Sequence, residues 1–326
     1  MTSMPTSFSL PSQVSKRTAN LMNESPLNTD HSWVHLARGT LRRARWQAHY
    51  QNKREAIGCF AKVARRRRLV LVGPGARPCE TDLDPATLQL PCLRELVLVD
   101  KHQEVLDAAR AEAASCLARP VRVLTLQEDI AGGVPERVSD ALAAGNRSGF
   151  PTALQSLAVD SSRSSLRHVF DICNGETLCV FSMCHAAVAY EQLGEWLWAE
   201  QTRADERAIL LSWYVRFNSL VLQATLGRAE EALRCGCSLL IISDICWIFP
   251  GRTVSQFNPS FLDVVLSASS MTYPQMIRSW IWDECDHHKH LVLAVGFGPN
   301  RSSLRQAWQA EGTAYGTLNA LIRVGT

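Results

Sequence analysis

The sequence predicts a doubly wound α/β fold, in which helices cover both faces of a mostly parallel β-sheet. Three continuous apolar runs of strand length stand at 68–73, 93–100 and 121–129, and the last two are separated by an amphipathic helical pattern at 102–118. Parallel strands that are buried on both faces have this continuous apolar character. A strand, a crossover, a strand, a helix and a strand in succession are typical of a doubly wound sheet.

The chain before the first strand divides into a polar part and a helical part. Residues 1–31 are rich in Ser, Thr, Asn and Pro, which predicts a flexible tail. Large apolar residues recur at helical spacing between Trp33 and Val63, so we expect helices over 32–64. The four arginines at 65–68 are interpreted as a solvated helix end; the alternative is a basic patch for an acidic partner.

The second half of the chain continues the alternation of strands and helices. A fourth strand is predicted within 176–188, and a largely helical stretch leads to a fifth strand at 237–247, which ends at Asp244 in this interpretation. Residues 278–299 form two apolar runs around a polar turn, which predicts an antiparallel hairpin that closes the sheet.

Composition excludes several classes of protein. The 34 Lys and Arg against 31 Asp and Glu give a net charge of +3, which indicates no strong nucleic-acid surface. No apolar run approaches the roughly 20 residues of a membrane helix. The N-terminus lacks the apolar core of a secretory signal, so we expect a cytoplasmic protein whose eleven scattered cysteines are reduced. The run 286–290, Asp-His-His-Lys-His, is interpreted as an exposed turn, and no metal site is expected.

Glycines and acids follow the predicted strands where a ligand of such a sheet would lie. Gly73 and Gly75 form a turn after the first strand, and Asp100 and Asp129 end the second and third. Ligands of doubly wound sheets bind outside the carboxyl ends of the strands, and an acid at the second strand can accept hydrogen bonds from ribose hydroxyls.

The residues after the glycine turn indicate the charge of the ligand. Glu80, Asp82 and Asp84 stand close to the start of the next helix. A pyrophosphate binds a helix N-terminus that carries no acid, so these carboxylates would repel it and attract an ammonium or a sulfonium.

The chain resembles the class I S-adenosylmethionine-dependent methyltransferases of the bacterial small-molecule type. Two features carry the resemblance: the five predicted parallel strands with a closing hairpin, and the segment "LVLVGPGARPCETDLDPATL…LRELVLVD". The resemblance covers roughly residues 69–298. It implies a seven-stranded, Rossmann-like sheet of order 3-2-1-4-5-7-6. It also implies an N-terminal helical lid or cap at 32–66, an S-adenosylmethionine-binding domain at 67–300 and a C-terminal extension at 301–326.

The resemblance also assigns residues to the cofactor. Gly73, Gly75, Asp100 and Ser182 would contact S-adenosylmethionine, and Asp129 would bond the adenine amino group. The family places an acid where this chain has Leu71 and a third glycine where it has Arg77. The missing acid would be replaced by Glu80 or Asp82, or by the hydroxyl of Thr81, and the sequence does not decide among them.

The function that the resemblance implies is methyl transfer to an oxygen or nitrogen of a small-molecule acceptor. His185, just past the fourth strand, is the candidate general base, and the alternative is a packed, hydrogen-bonded histidine. Two other functions stay open: transfer of the aminocarboxypropyl group, as in nicotianamine-synthase-like enzymes, and a non-catalytic binding protein. No nucleic-acid partner is expected, and a homodimer is left open.

Overall fold

The computed structural model describes residues 50–75, 82–143, 166–182, 184, 204–249, 253–256, 289–298, 302–309 and 320–323. These residues form an α/β architecture built on one mixed sheet of nine strands. The predicted α/β class is therefore confirmed.

Helices and strands alternate over the first two thirds of the described chain. The helices are α1 (50–64), α2 (Pro85–Leu88), α3 (Gln103–Cys116), α4 (Val134–Ala143), α5 (Arg167–Asp171) and α6 (Ala204–Arg234). The strands are β1 (Arg68–Val72), β2 (Glu95–Asp100), β3 (Arg122–Gln127), β4 (Thr177–Ser182), β5 (Ser238–Phe249), β6 (Thr253–Gln256), β7 (Lys289–Phe297), β8 (Ser302–Gln309) and β9 (Ala320–Arg323).

The sheet has a parallel half and an antiparallel half. Its order is β3-β2-β1-β4-β5-β7-β8-β9, with β6 paired to β5. The pairings among the first five strands are parallel, and those of β6, β7, β8 and β9 are antiparallel. The strand order reverses between β1 and β4, which is the switch point where ligands of doubly wound sheets bind.

The antiparallel half differs from the predicted seven-stranded sheet. An antiparallel strand does follow β5, as expected, but its outer neighbour is β8, which comes later in the chain. The sequence predicts a C-terminal extension at 301–326, whereas β8 and β9, which lie in this segment, are strands of the sheet. The first strand of the predicted hairpin, at 278–282, lies outside the described residues.

The fifth strand is longer than predicted, which corrects the position of Asp244. β5 runs from Ser238 to Phe249, so Asp244 lies within the strand instead of at its end. The register against β7 is irregular between Asp244 and Cys246, and the strand then continues as an antiparallel partner of β6. The apolar residues at 245–249 extend the strand past the acid.

Side chains of the parallel strands alternate between two apolar layers, since successive residues of a strand point to opposite faces. On the leucine face, defined by Leu69 and Leu71, the strands pack against α1, α2 and α3. On the valine face, defined by Val70 and Val72, they pack against α5 and α6. Helices therefore cover both faces, as the continuous apolar runs predicted.

Helix α1 packs on the leucine face as a core element. Ala56, Ile57, Phe60 and Ala61 are buried against the sheet. The ring of Phe60 lies directly on Gly296 of β7, where a Cβ would overlap it. The segment 32–66 is predicted to be a lid or cap. Helix α1 is the helix of this segment that the structure describes, and its buried residues belong to the hydrophobic core of the sheet.

The four arginines at 65–68 lie at the amino-terminal edge of the sheet, where two of them bind loop carbonyls. Arg66 donates to the carbonyl of Gly175 at 2.5 Å, and Arg68 donates to the carbonyl of Ile172 at 2.7 Å and pairs with Glu95. Arg67 is exposed. The interpretation as a solvated helix end fits Arg67, whereas the guanidinium groups of Arg66 and Arg68 are bound by loop carbonyls.

Candidate functional site

The glycine turn crosses the carboxyl end of β4 at very close range. Gly73 has φ 75°, and a Cβ there would lie 2.8 Å from the carbonyl oxygen of Ser182. Its N–H donates to the carbonyl of Val99 at 2.9 Å, which ties the turn to β2. Glycine is required here because any side chain would be strained and would displace the end of β4. Gly75 also has positive φ, at 77°.

The segment that follows the glycine turn is hydrogen-bonded back to the turn. The N–H of Asp82 donates to the carbonyl of Pro74 at 2.9 Å. Asp84 caps α2, because its Oδ2 accepts the N–H of Thr87 at 3.0 Å. Residues 76–81, with the candidates Glu80 and Thr81, lie outside the described residues, so Asp82 alone among the three proposed replacements for the missing acid can be located.

A buried ion pair lies beneath the turn. Lys53 Nζ on α1 is 2.7 Å from Asp82 Oδ1, and both side chains are buried. The same Nζ donates to Ser182 Oγ at 3.4 Å and lies 5.3 Å from the centre of the Tyr50 ring. The ion pair thus connects α1 to the segment that follows β1 and to the end of β4.

Sequence reasoning missed Lys53, although a signal for it exists. The buried residues Ala56, Ile57, Phe60 and Ala61 mark the core-facing side of α1. Lys53 precedes them at the spacing i, i+3, i+4, i+7 and i+8, so it occupies a core position of the same helical face. A lysine at such a position requires a buried counter-ion, because lysine is almost never fully buried unpaired.

Asp100 stands beside the glycine turn, as predicted. It ends β2, which pairs in parallel with β1 in the register Val72 with Val99. Asp100 Oδ1 accepts the N–H of His102 at 3.0 Å, which orients the carboxylate at the start of α3. The half-buried carboxylate therefore shapes its own turn and lies at the edge of the sheet where a ribose is predicted.

The third strand is predicted to end at Asp129, but β3 ends at Gln127, and the carboxylates of Glu128 and Asp129 just past its end are bound by backbone N–H groups. Asp129 accepts the N–H of Ala131 at 2.8 Å through Oδ1 and that of Gly133 at 2.6 Å through Oδ2. Its neighbour Glu128 accepts the N–H of Val169 at 3.2 Å and so ties β3 to α5. The contacts of Asp129 are those of a turn cap, and its predicted bond to an adenine amino group stays a prediction.

Ser182 ends β4 and is buried. His185, the candidate general base, lies outside the described residues, as does Met183. The structure thus brings Gly73, Asp82, Asp100 and Ser182 together around the ends of β1, β2 and β4.

Cys184 lies against the glycine turn as a protonated thiol. Its Sγ is 3.5 Å from the carbonyl oxygen of Val72. Burial and, to a smaller extent, the Asp100 and Asp82 carboxylates raise the pKa of Cys184 to about 12, although a backbone hydrogen bond and the Lys53 ammonium act in the opposite direction. A thiol with this pKa supplies no thiolate near neutral pH, so Cys184 is not an activated nucleophile.

We expect Cys184 to resist alkylation at pH 8, while Cys59, which is exposed, reacts readily with iodoacetamide. Because the folded pKa lies above the ordinary value of 9.0, the contribution of Cys184 to stability is complete below pH 9 and is lost as the pH rises towards 12. Peptide mass analysis after timed labelling with iodoacetamide measures the alkylation rates of Cys184 and Cys59. Equal rates for the two cysteines would contradict the raised pKa of Cys184.

The described residues contain no group of three or more His, Cys, Asp or Glu side chains that could hold a metal ion. Eight of the cysteines in the described part of the chain are free thiols. No helix in this part of the chain is long and apolar enough to cross a membrane. No protein-family model matches the chain, and no curated protein matches it.

Proposed function

We propose that the chain binds S-adenosylmethionine at the carboxyl ends of β1, β2 and β4 and transfers its methyl group to an oxygen or nitrogen of a small molecule. The observation that supports this most is the gathering of Asp82, Asp100 and Ser182 around the turn at Gly73, at the switch point of the sheet. A cofactor can approach the bare backbone of that turn closely, as glycine turns of doubly wound sheets allow.

The charges of the site favour a cationic nucleoside. Two carboxylates, Asp82 and Asp100, and one ammonium, Lys53, stand near the turn, since all three influence the ionisation of Cys184. S-adenosylmethionine carries a sulfonium, an ammonium and a carboxylate, so its net charge is positive and complements the excess carboxylate. The phosphates of a dinucleotide or of ATP would be repelled by the same groups.

The residues of the chain would act mainly by holding the cofactor and the acceptor in position. When bound, S-adenosylmethionine supplies an electrophilic methyl group. The turn at Gly73 and the carboxylate of Asp100 would fix the nucleoside, and the end of β4 would face the acceptor. Holding the nucleophile in line with a methyl group supplies a large part of the rate enhancement in such displacements. His185 would accept the acceptor's proton if the acceptor is a hydroxyl or amine.

We expect S-adenosylmethionine or S-adenosylhomocysteine, at about 100 times its dissociation constant, to stabilise the chain by roughly 2.7 kcal/mol through mass action. A thermal melt with and without each compound measures this. Stabilisation by NAD or ATP but by neither of these compounds would contradict the proposal. The coproduct then identifies the reaction: S-adenosylhomocysteine reports methyl transfer, and methylthioadenosine reports aminocarboxypropyl transfer.

Replacing Asp100 with Asn should weaken binding of S-adenosylmethionine by about 1.5–3 kcal/mol, the value of hydrogen bonds to a charged group. Asn keeps an acceptor for the N–H of His102, so the local turn should persist. The matched control is Asp107→Asn, since Asp107 is exposed on α3. Calorimetric titration measures the affinity of each variant for S-adenosylmethionine. Unchanged affinity in Asp100→Asn would show that Asp100 does not contact the cofactor.

A further inference from the structure

The parallel half of the sheet ends at β3, which pairs with β2 alone among the described strands. The register between β3 and β2 is continuous from Arg122 to Gln127. The apolar side chains of β3 are half-buried, whereas those of β2 are fully buried. The strand contains no Pro, no Lys and no bulge, which are common devices that prevent sheet edges from pairing. The outer edge of β3 is therefore able to accept a further strand.

The backbone groups that face this outer edge can be identified from those that face β2. The N–H groups of Arg122 and Glu128 donate to carbonyls at the start and the end of β2, both at 3.0 Å. The backbone groups of successive strand residues alternate in direction, as in any β-ladder. Val123, Thr125 and Gln127 therefore direct their N–H and C=O groups outward, with Thr125 at the centre.

The side chains along this edge are complementary to themselves. The even-numbered residues Arg122, Leu124, Leu126 and Glu128 share the valine face, where the two leucines pack against the core. In an antiparallel pair of β3 strands with a twofold axis at Thr125, Leu124 lies opposite Leu126 of the second copy, in a position where side chains approach closely. Arg122 then lies opposite Glu128 of the second copy, and such opposite charges favour the pairing.

The two charged groups have the capacity for this contact. The Arg122 side chain is 70% exposed, and its Nη1 lies 3.5 Å from Glu95 of its own chain. Glu128 is 13% exposed and accepts the N–H of Val169 at 3.2 Å. A guanidinium has five N–H donors and a carboxylate about four acceptor positions, so both groups can bind a further partner.

We infer that β3 is the interface of a twofold-symmetric homodimer, in which two copies of the chain join their sheets edge to edge. Thr125 exchanges both backbone hydrogen bonds with its counterpart, and Val123 exchanges both with Gln127 of the second copy. A twofold interface uses the same surface of both copies, and this register meets that requirement at every position. The antiparallel arrangement places the two candidate sites at opposite ends of the joined strands. The inference does not depend on the proposed function.

Sedimentation velocity of the full chain over a range of concentrations tests the dimer. Wild type should sediment with twice the mass of one chain. Thr125→Pro removes the outward N–H at the axis, a change that an edge strand tolerates, and Thr125→Lys places two ammonium groups opposite each other. Each variant should raise the dissociation constant of the dimer by about 10-fold or more. The control Thr125→Val keeps the N–H and should dimerise as wild type does.

The outcomes that contradict the dimer are distinct. A wild type that is monomeric at every concentration would overturn the inference, and so would a Thr125→Lys variant that dimerises as wild type does. If Thr125→Pro does not fold, Thr125→Lys decides. Protection of the Thr125 amide from hydrogen exchange in a monomeric sample would show that another segment of the same chain covers β3, which would also overturn the inference.

A cross-linking experiment tests the register. Directly opposed residues of a hydrogen-bonded pair have Cα atoms about 5.5 Å apart, within the range of a disulfide. With oxidised glutathione as the oxidant, Thr125→Cys should form a covalent dimer in excess of wild type, whose exposed Cys59 and Cys235 set the background. Gln127→Cys, which lies opposite Val123 of the second copy, should remain at that background. Equal cross-linking of the two variants would overturn the inference.

Discussion

Replacing Lys53 with Met is expected to destabilise the chain by about 3–5 kcal/mol, because it leaves a buried carboxylate without its counter-ion. Asp82 is 2% exposed, and no other described residue donates a hydrogen bond to its carboxylate. Methionine retains most of the volume of the lysine stem, so the loss would arise mainly from charge and not from a cavity.

Two further variants separate charge from packing. Lys62→Met changes an exposed lysine of the same helix and should alter the free energy of unfolding by less than about 0.5 kcal/mol. The double variant Lys53→Met and Asp82→Leu removes both charges and should recover most of the loss. Urea unfolding measures all three. A single variant Lys53→Met as stable as Lys62→Met would show that Asp82 is not buried in solution.

Replacing Phe60 with Ala should cost about 3–5 kcal/mol, the usual range for removing a buried aromatic ring. Phe60 is 3% exposed and lies between α1 and Gly296 of β7, so the ring joins the first described helix to the antiparallel half of the sheet. Val63→Ala is the control, since Val63 is 57% exposed on the same helix.

The contact between Phe60 and Gly296 can be tested by a double-mutant cycle. In the wild-type background Gly296→Ala should be strongly destabilising, because the new Cβ would overlap the ring. In the Phe60→Ala background the same Cβ enters the vacated space, so the combined loss should be smaller than the sum of the single losses. Additive free energies of unfolding would mean that the helix does not pack on β7.

The parallel half of the fold could be predicted because its strands are buried on both faces. Continuous apolar runs at 68–73, 93–100 and 121–129 correspond to β1, β2 and β3. Strand β8, which lies between β7 and the edge strand β9, gives no comparable signal, because its sequence contains no continuous apolar run.

Asp100 and Asp82 lie near Gly73, at the edge of the sheet where the sequence predicts the cofactor, and the cofactor itself stays a prediction. The sequence could not show that the Asp129 carboxylate binds the N–H groups of its own turn, because an acid after a strand serves as a cap or as a ligand contact equally well. Lys53 was missed because its partner is distant in sequence and is found only in the folded chain.

The most direct test of the central proposal is a structure of the full chain with S-adenosylhomocysteine. The proposal predicts the ligand at the switch point between β1 and β4, with the nucleoside against Gly73 and the ribose beside Asp100. A ligand found at another edge of the sheet, or none at saturating concentration, would contradict it.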